Sequence, residues 1–191
     1  MLSAADDLNN VWENGWTAWN ESIPQNAPFP YCACLTSNMG SSLVIHQTMY
    51  TSDGYTLQRF YNGGTGGWKP FEWVNPPLYQ DGEYRTTERF LGKPVYAYIK
   101  KIGACASGAS VYEAIGNVNP QHIISAYGSV DGDMNLPHIY GVPGSADERD
   151  YSIHLAVVPS LTTNIAITIF CGAKRSFSSA YVCVKYTKTT D

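Results

Sequence analysis

Sixteen acidic residues, four histidines and five cysteines are the groups of this chain that could do chemistry. Hydrolysis of a glycosidic bond needs two carboxylates flanking it. Glu83 and Glu88 come nearest to such a pair, but nothing around them in the sequence builds a cleft. Asp131-Gly132-Asp133 opens like a calcium loop, yet no Glu twelve residues on completes it, so it reads as a turn. A zinc site would want a second close pair of Cys or His, and His46, His122, His138 and His154 are all solitary. Cys32, Cys34, Cys105, Cys171 and Cys183 are odd in number and irregular in spacing, which is a poor disulfide framework. Cys32 and Cys34 sit two apart in an extended stretch, pointing to one face, where a bond between them would be strained. The cysteines therefore read as buried thiols of a chain folded in a reducing cytoplasm. Gly63-Gly64-Thr65-Gly66-Gly67 lacks the Lys and the following helix that cradle a phosphate, and reads as a hairpin return. A nucleophile elbow and an HExxH helix are missing. The expectation is no enzyme, no cofactor and no metal.

The elements that hold these residues are strands. Leu43 to Tyr50 and Tyr55 to Tyr61 are β-rich runs joined by Thr51-Ser52-Asp53-Gly54, a hairpin loop carrying Asp-Gly. Tyr151, Ile153, Leu155 and Val157 alternate with small or polar residues, as do Ile165, Ile167 and Ile169, the mark of half-buried strands. Pro94 to Ile102, Ala109 to Ile115, His122 to Tyr127 and Ala180 to Thr187 complete the set. Helical signal is confined to a short turn within residues 5–14, capped by an Asp. The fold class is all-β. All five Trp (Trp12, Trp16, Trp19, Trp68 and Trp73) fall before Pro76-Pro77, which divides the chain into a small module, 1–77, and a larger one, 78–191. Short strands with turns between them make the larger module an antiparallel β-sandwich or jelly roll.

Composition narrows the partners. Only 15% of residues are charged while 13% are aromatic, and 12 basic against 16 acidic residues give −4 with no basic run. A nucleic acid partner needs a clustered positive surface and is not expected. No apolar run reaches the roughly 18 residues of a membrane span, and no positive n-region or apolar h-region opens the chain. The aromatics must be buried or stacked on a partner. Trp68 and Trp73, at the end of a small module, suit its core; a sugar-stacking platform is the other reading. Between Tyr127 and Tyr151 the chain is rich in Gly, Pro and acids, too irregular for one strand and too long for a tight turn. Long loops on a rigid scaffold concentrate binding residues. Asp131, Asp133, Tyr140 and Arg149 are its candidate receptor contacts, against the alternative of a plain connector.

Asp7-Leu8-Asn9, Gly15-Trp16, Asn26-Ala27-Pro28, Leu35, Gln47, Arg59 and Trp68-Lys69-Pro70-Phe71 together resemble the pyocin-knob family of phage and pyocin tail fibres, with Trp16 where the family often has Tyr. Tyr84 to Phe90, Gly92 to Tyr96 and the ending Tyr186 to Asp191 are similar to distal domains of phage and prophage tail-fibre proteins. The resemblance implies a homotrimeric, receptor-binding fibre tip on the virion tail, made in the bacterial cytoplasm and joined to other tail-fibre or baseplate proteins. Its target would be a host cell-surface glycan or protein. A glycan-degrading tailspike-type depolymerase and a free carbohydrate-binding module are the alternatives. The low charge fraction also favours an oligomer, because a monomer would leave much apolar surface in water.

Overall fold

Alternating apolar and polar residues dictate strands almost everywhere, and in this computed structural model the chain is all-β apart from one 3-10 turn and one short helix among the described residues. Those residues are 1–40, 44–64, 66–77, 80–132, 134–137, 145–160 and 164–191, without the side chains of 147–149 and 160. The chain divides into two compact units: Met1–Pro76 with Arg85–Thr87, and Pro77–Tyr84 with Glu88–Asp191.

The first unit opens with the 3-10 turn Leu8–Asn10, which is shorter than the helical signal of residues 5–14 suggests. Asp7 caps it: its side chain accepts the Asn9 N–H at 2.9 Å, satisfying one of the donors a helix start leaves open. Strands β1 (Gly15–Trp19), β2 (Cys32–Asn38), β3 (Val44–Thr51), β4 (Thr56–Asn62), β5 (Gly67–Trp68) and β6 (Glu72–Trp73) follow. They order as β1-β2-β3-β4-β6, all antiparallel, with β5 also on β4. Gly54, at φ 81, turns the β3–β4 hairpin, a backbone conformation that glycine adopts without strain. Thr86 of β7 (Gly82–Phe90) pairs in parallel with Trp73. The period-two pattern sends Cys32, Cys34 and Thr36 of β2, and Ile45, Gln47 and Met49 of β3, to the buried face. There Leu8, Trp19, Cys32, Cys34, Met49 and Leu57 pack together, with Phe29, Phe71 and Trp73 half-buried against them.

The second unit holds the ends of β7 with β8 (Lys93–Ile102), β9 (Ser110–Ile115), β10 (Pro120–Val130), β11 (Met134–Leu136), helix α1 (Ala146–Tyr151), β12 (Ile153–Ser160), β13 (Asn164–Cys171) and β14 (Ala180–Lys188). One sheet runs β7-β8-β14-β10-β11 and the other β12-β13-β9. Ile153, Ile165, Ile167 and Ile169 of the smaller sheet share a core with Val130, Val182, Val184 and Tyr186 of the larger one, which is sandwich packing. The stretch between Tyr127 and Tyr151 is more regular at its ends than its composition suggests. Gly128 to Val130 belong to β10, β11 turns back to pair with them, and α1 runs through to Tyr151. A Cβ on Gly128 would run into the Tyr181 carbonyl oxygen of β14, so that position tolerates no side chain. Residues 138–144 lie outside the described residues.

Candidate functional site

Because β1 to β4 alternate strictly, the residues that do not enter the first unit's core form a second face. It carries Trp16 and Ala18 of β1, Ala33, Leu35 and Ser37 of β2, Val44, His46, Thr48 and Tyr50 of β3, and Thr56, Gln58 and Phe60 of β4. None of these is Asp, Glu, Lys or Arg. Register aligns them in rows: Trp16, Leu35, Thr48 and Gln58 in one, Ala18, Ala33, Tyr50 and Thr56 in the next. The Trp16 and Tyr50 rings meet diagonally across β2 at 5.7 Å. Ala33, which pairs with both Ala18 and Tyr50, leaves room for them. His46 stacks on Phe60 at 4.5 Å, with the rings 10° from parallel. Trp16 is 63% exposed, and Tyr50 and Phe60 are each 42% exposed, far more than a core aromatic. Trp16 also lines a groove of about 450 Å³ formed by Asn10 to Thr17. Asn38 anchors that segment, its N–H donating to Asn14 Oδ1 at 2.5 Å and its Nδ2 to the Trp12 carbonyl at 3.0 Å. Ring faces beside hydroxyls and an amide suit the apolar C–H side and the hydroxyl rim of a neutral pyranose.

Beneath this face lies a buried polar network. Gln47, fully buried, donates from Nε2 to the carbonyls of Leu8 at 3.1 Å and Val11 at 3.2 Å. Its Oε1 accepts from Arg59 Nε at 2.8 Å. The Arg59 guanidinium lies over the Trp68 ring at 4.2 Å and the Phe71 ring at 4.5 Å, a cation held between two aromatic faces. Burial lowers Arg59 to about 10, against smaller opposing contributions from Cys34 and Asp7. Trp68 Nε1 donates to the Asn9 carbonyl at 3.1 Å, and Asn26 Nδ2 donates to Asp7 Oδ1 at 2.7 Å. The hydrogen bond from Asn26, then that from the Asn9 N–H, holds the Asp7 carboxyl below its ordinary range. Asp7, Leu8, Asn9, Asn26, Gln47, Arg59, Trp68 and Phe71 are thereby tied into one structure that clamps the amino-terminal turn to the sheet. Trp68 works as structure. Trp73 also packs inward, edge-on to Phe29 at 5.6 Å and Tyr55 at 5.5 Å.

The other candidates are dispersed. Asp131 sits at φ 49 in the β10–β11 turn, its Oδ1 accepting the N–H groups of Ser178 at 2.9 Å and Ser179 at 3.0 Å. Its own N–H donates to the Ser179 carbonyl at 2.9 Å, so Asp131 fastens the turn to the start of β14. Asp133 and Tyr140 lie outside the described residues, and Arg149 belongs to α1 with its side chain outside the description. Glu83 accepts from Tyr186 and pairs with Lys188 at 2.6 Å, while Glu88 pairs with Lys185 at 2.6 Å. Burial, then the hydrogen bond to Glu83, pushes the Tyr186 hydroxyl up. Five positions apart on β7, the two carboxylates project to opposite faces, each with its own lysine, which is not the facing pair of a glycosidase. All five cysteines are buried and unbridged. Among the described residues no group of three or more His, Cys, Asp and Glu gathers as a metal site, and no helix is long and apolar enough to cross a membrane. Sequence reading singled out neither Tyr50 nor the His46–Phe60 stack; their parity with Thr48 along β3 and β4 is the signal that marks them.

No protein-family model matches the chain, and no characterised protein matches its sequence. Its structure is similar to pyocin tail fibres. A C-terminal piece of the P. aeruginosa R1 pyocin fibre aligns with a TM-score of 0.33 and 11% identity, over 96% of this chain and 66% of that one. An N-truncated R2-type pyocin tail fibre aligns at 0.31 and 13%, over 96% of this chain and 95% of that one. A C-terminal piece of the P. aeruginosa R2 pyocin fibre aligns at 0.31 and 13%, over 96% and 65%. The chain thus spans just under two thirds of the length of the R1 piece.

Proposed function

We propose that this chain is the distal part of a phage- or pyocin-type tail fibre, a homotrimer on the virion tail that attaches to a neutral saccharide on the host surface. The attachment face is the outer face of the first unit. The observation that carries the reading is the face of β1 to β4, without acidic or basic side chains, on which the exposed Trp16 and Tyr50 rings meet 5.7 Å apart at a 37° tilt. At its β6 edge Glu72, opposite Gln58, pairs with Arg85 at 2.7 Å. Support for the fibre role comes from the pyocin-knob resemblance. Of its residues, Asp7, Leu8, Asn9, Asn26, Gln47, Arg59, Trp68 and Phe71 meet in the network that clamps the amino-terminal turn, while Trp16 and Leu35 lie on the outer face. A depolymerase is the weaker reading, because Glu83 and Glu88 face apart and are each engaged by a lysine.

Incubation with purified bacterial envelope polysaccharides tests this reading. The expected result is retention of polysaccharide with its chain length unchanged; new reducing ends would establish a glycosidase instead. Sedimentation is expected to give three times the 21.0 kDa of one chain, and a species of single-chain mass at micromolar concentration would remove the trimer.

A further inference from the structure

Two thiols of the second unit converge where no disulfide was expected. Cys105 follows β8 and pairs in a bridge with Phe177, each residue's N–H donating to the other's carbonyl at 3.0 Å. Cys171 ends β13, and its N–H donates to the Ala109 carbonyl at 2.9 Å. The Cys105 thiol points at that same carbonyl, at 3.5 Å. The Cys105 thiol and the Cys171 N–H thus meet at one carbonyl, and Gly108 N–H donates to the Gly172 carbonyl at 3.0 Å beside them. Both belong to the same buried cluster, at 4% and 6% exposure. The other three cysteines have no such placement: Cys32 and Cys34 lie two apart on one strand, and Cys183 stands opposite Tyr127 in the β10–β14 ladder.

We propose that Cys105 and Cys171 are a latent disulfide, a specific modification site that closes when the folded protein leaves a reducing compartment and meets a small-molecule disulfide. One thiolate attacks the small disulfide, breaking its S–S bond, forming a mixed disulfide and releasing one small thiol. The second cysteine, as thiolate, then attacks the protein sulfur of the mixed disulfide and releases the second small thiol. Two protein thiols are oxidised, one disulfide is reduced to two thiols, and the two protons pass to the released thiolates. The bond pins the turn between β8 and β9 to the end of β13. Burial, first, and the neighbouring Cys105 raise the Cys171 thiol to about 12, so closure proceeds through brief local opening and is slow at neutral pH.

The test uses the full chain incubated with oxidised glutathione at pH 8.5, with and without sub-denaturing urea. Intact mass and peptide mapping under non-reducing conditions are then recorded. The expected product is two hydrogens lighter, carries no glutathione and yields one linked pair of peptides, Cys105 with Cys171. Its Tm is higher than that of the reduced chain by roughly 5–15 °C, the range for closing a loop of this length in a domain of this size. A Cys171→Ser variant is expected to retain a glutathione adduct on Cys105. Five thiols still titratable after oxidation in urea, or a linked pair involving Cys32, Cys34 or Cys183, would overturn the proposal. The wild-type map decides it even if the variant fails to fold.

Discussion

Gln47 and Arg59 stand directly opposite each other on β3 and β4, with Arg59 Nε donating to Gln47 Oε1 at 2.8 Å. The contact joins a fully buried amide to a buried cation, and each needs the other. Gln47 also holds the carbonyls of Leu8 and Val11, while the guanidinium rests between Trp68 and Phe71. A single side chain thus satisfies the Arg59 Nε–H and the Val11 carbonyl, and adds a second donor to the Leu8 carbonyl, which also accepts the Val11 N–H at 3.4 Å.

Gln47→Ala strands Arg59 Nε and the Val11 carbonyl at once and leaves the Leu8 carbonyl with the Val11 N–H alone. At about 1–3 kcal/mol for each of these two unsatisfied groups, relieved in part by entering water, the expected loss is about 2–4 kcal/mol. Urea unfolding of the purified variant measures it. A loss below 1 kcal/mol would mean that the network is ornamental.

Trp68→Ala removes one of the two aromatic faces over Arg59 and the hydrogen bond to Asn9. The expected cost is about 3–5 kcal/mol, the usual range for emptying an aromatic site. Polysaccharide retention by the fraction that remains folded should be unchanged. A variant with native stability and no retention would place Trp68 in the binding site instead.

Asp131→Ala deprives the Ser178 and Ser179 N–H groups of their acceptor and places alanine at positive φ. Destabilisation of about 1–2 kcal/mol is expected. Asp131→Asn should recover part of it, since Asn keeps an acceptor oxygen and tolerates that backbone region. Both are read from thermal melts, and equal losses for the two variants would contradict the turn-fastening role.

Alkaline pH should weaken the fold before arginine chemistry matters. Burial raises Cys32 and Cys34 to about 11 and Cys171 to about 12, from an unfolded value of 9.0. Raised thiols keep their full contribution below pH 9 and lose it as pH climbs toward 11–12, because the unfolded chain ionises first. Arg59 acts the other way, relieving the fold only above about 10. Between pH 9 and 10 the thiols dominate, with slopes of up to about 1.4 kcal/mol per pH unit each. Urea midpoints under reducing conditions at pH 8, 9 and 10 check this: flat to 9, then falling, with a shallower fall in Cys34→Ala.

Much of this fold is legible because alternation is local. The β3–β4 hairpin follows from residues that alternate on either side of Asp53-Gly54, and β12 and β13 follow from spaced Ile and Val. The short β1 and the polar β7 gave little such signal, since Gly15–Trp19 is too brief to show a period and Gly82–Phe90 carries charges on both faces. Gly128 reads as a loop residue, although it is held in a strand by the approach of the Tyr181 backbone, a contact made by a distant segment. The candidate face was illegible for the same reason. Trp16 and Tyr50 meet only through the registers of β1 on β2 and β2 on β3, and no local window contains both. Asp131 looked like a ligand group because its backbone partners lie far along the chain.

The outer face of the first unit carries the functional account, and an array of bacterial surface saccharides tests it most directly. Wild type, Trp16→Ala and the double variant Trp16→Ala with Tyr50→Ala are applied at matched concentration, with thermal melts alongside. Both rings are substantially exposed, so melting temperatures should change by only a few degrees. The account predicts that wild type binds neutral saccharides in preference to acidic ones, that Trp16→Ala weakens binding at least tenfold and that the double variant abolishes it. Undiminished binding by the folded double variant would contradict the account.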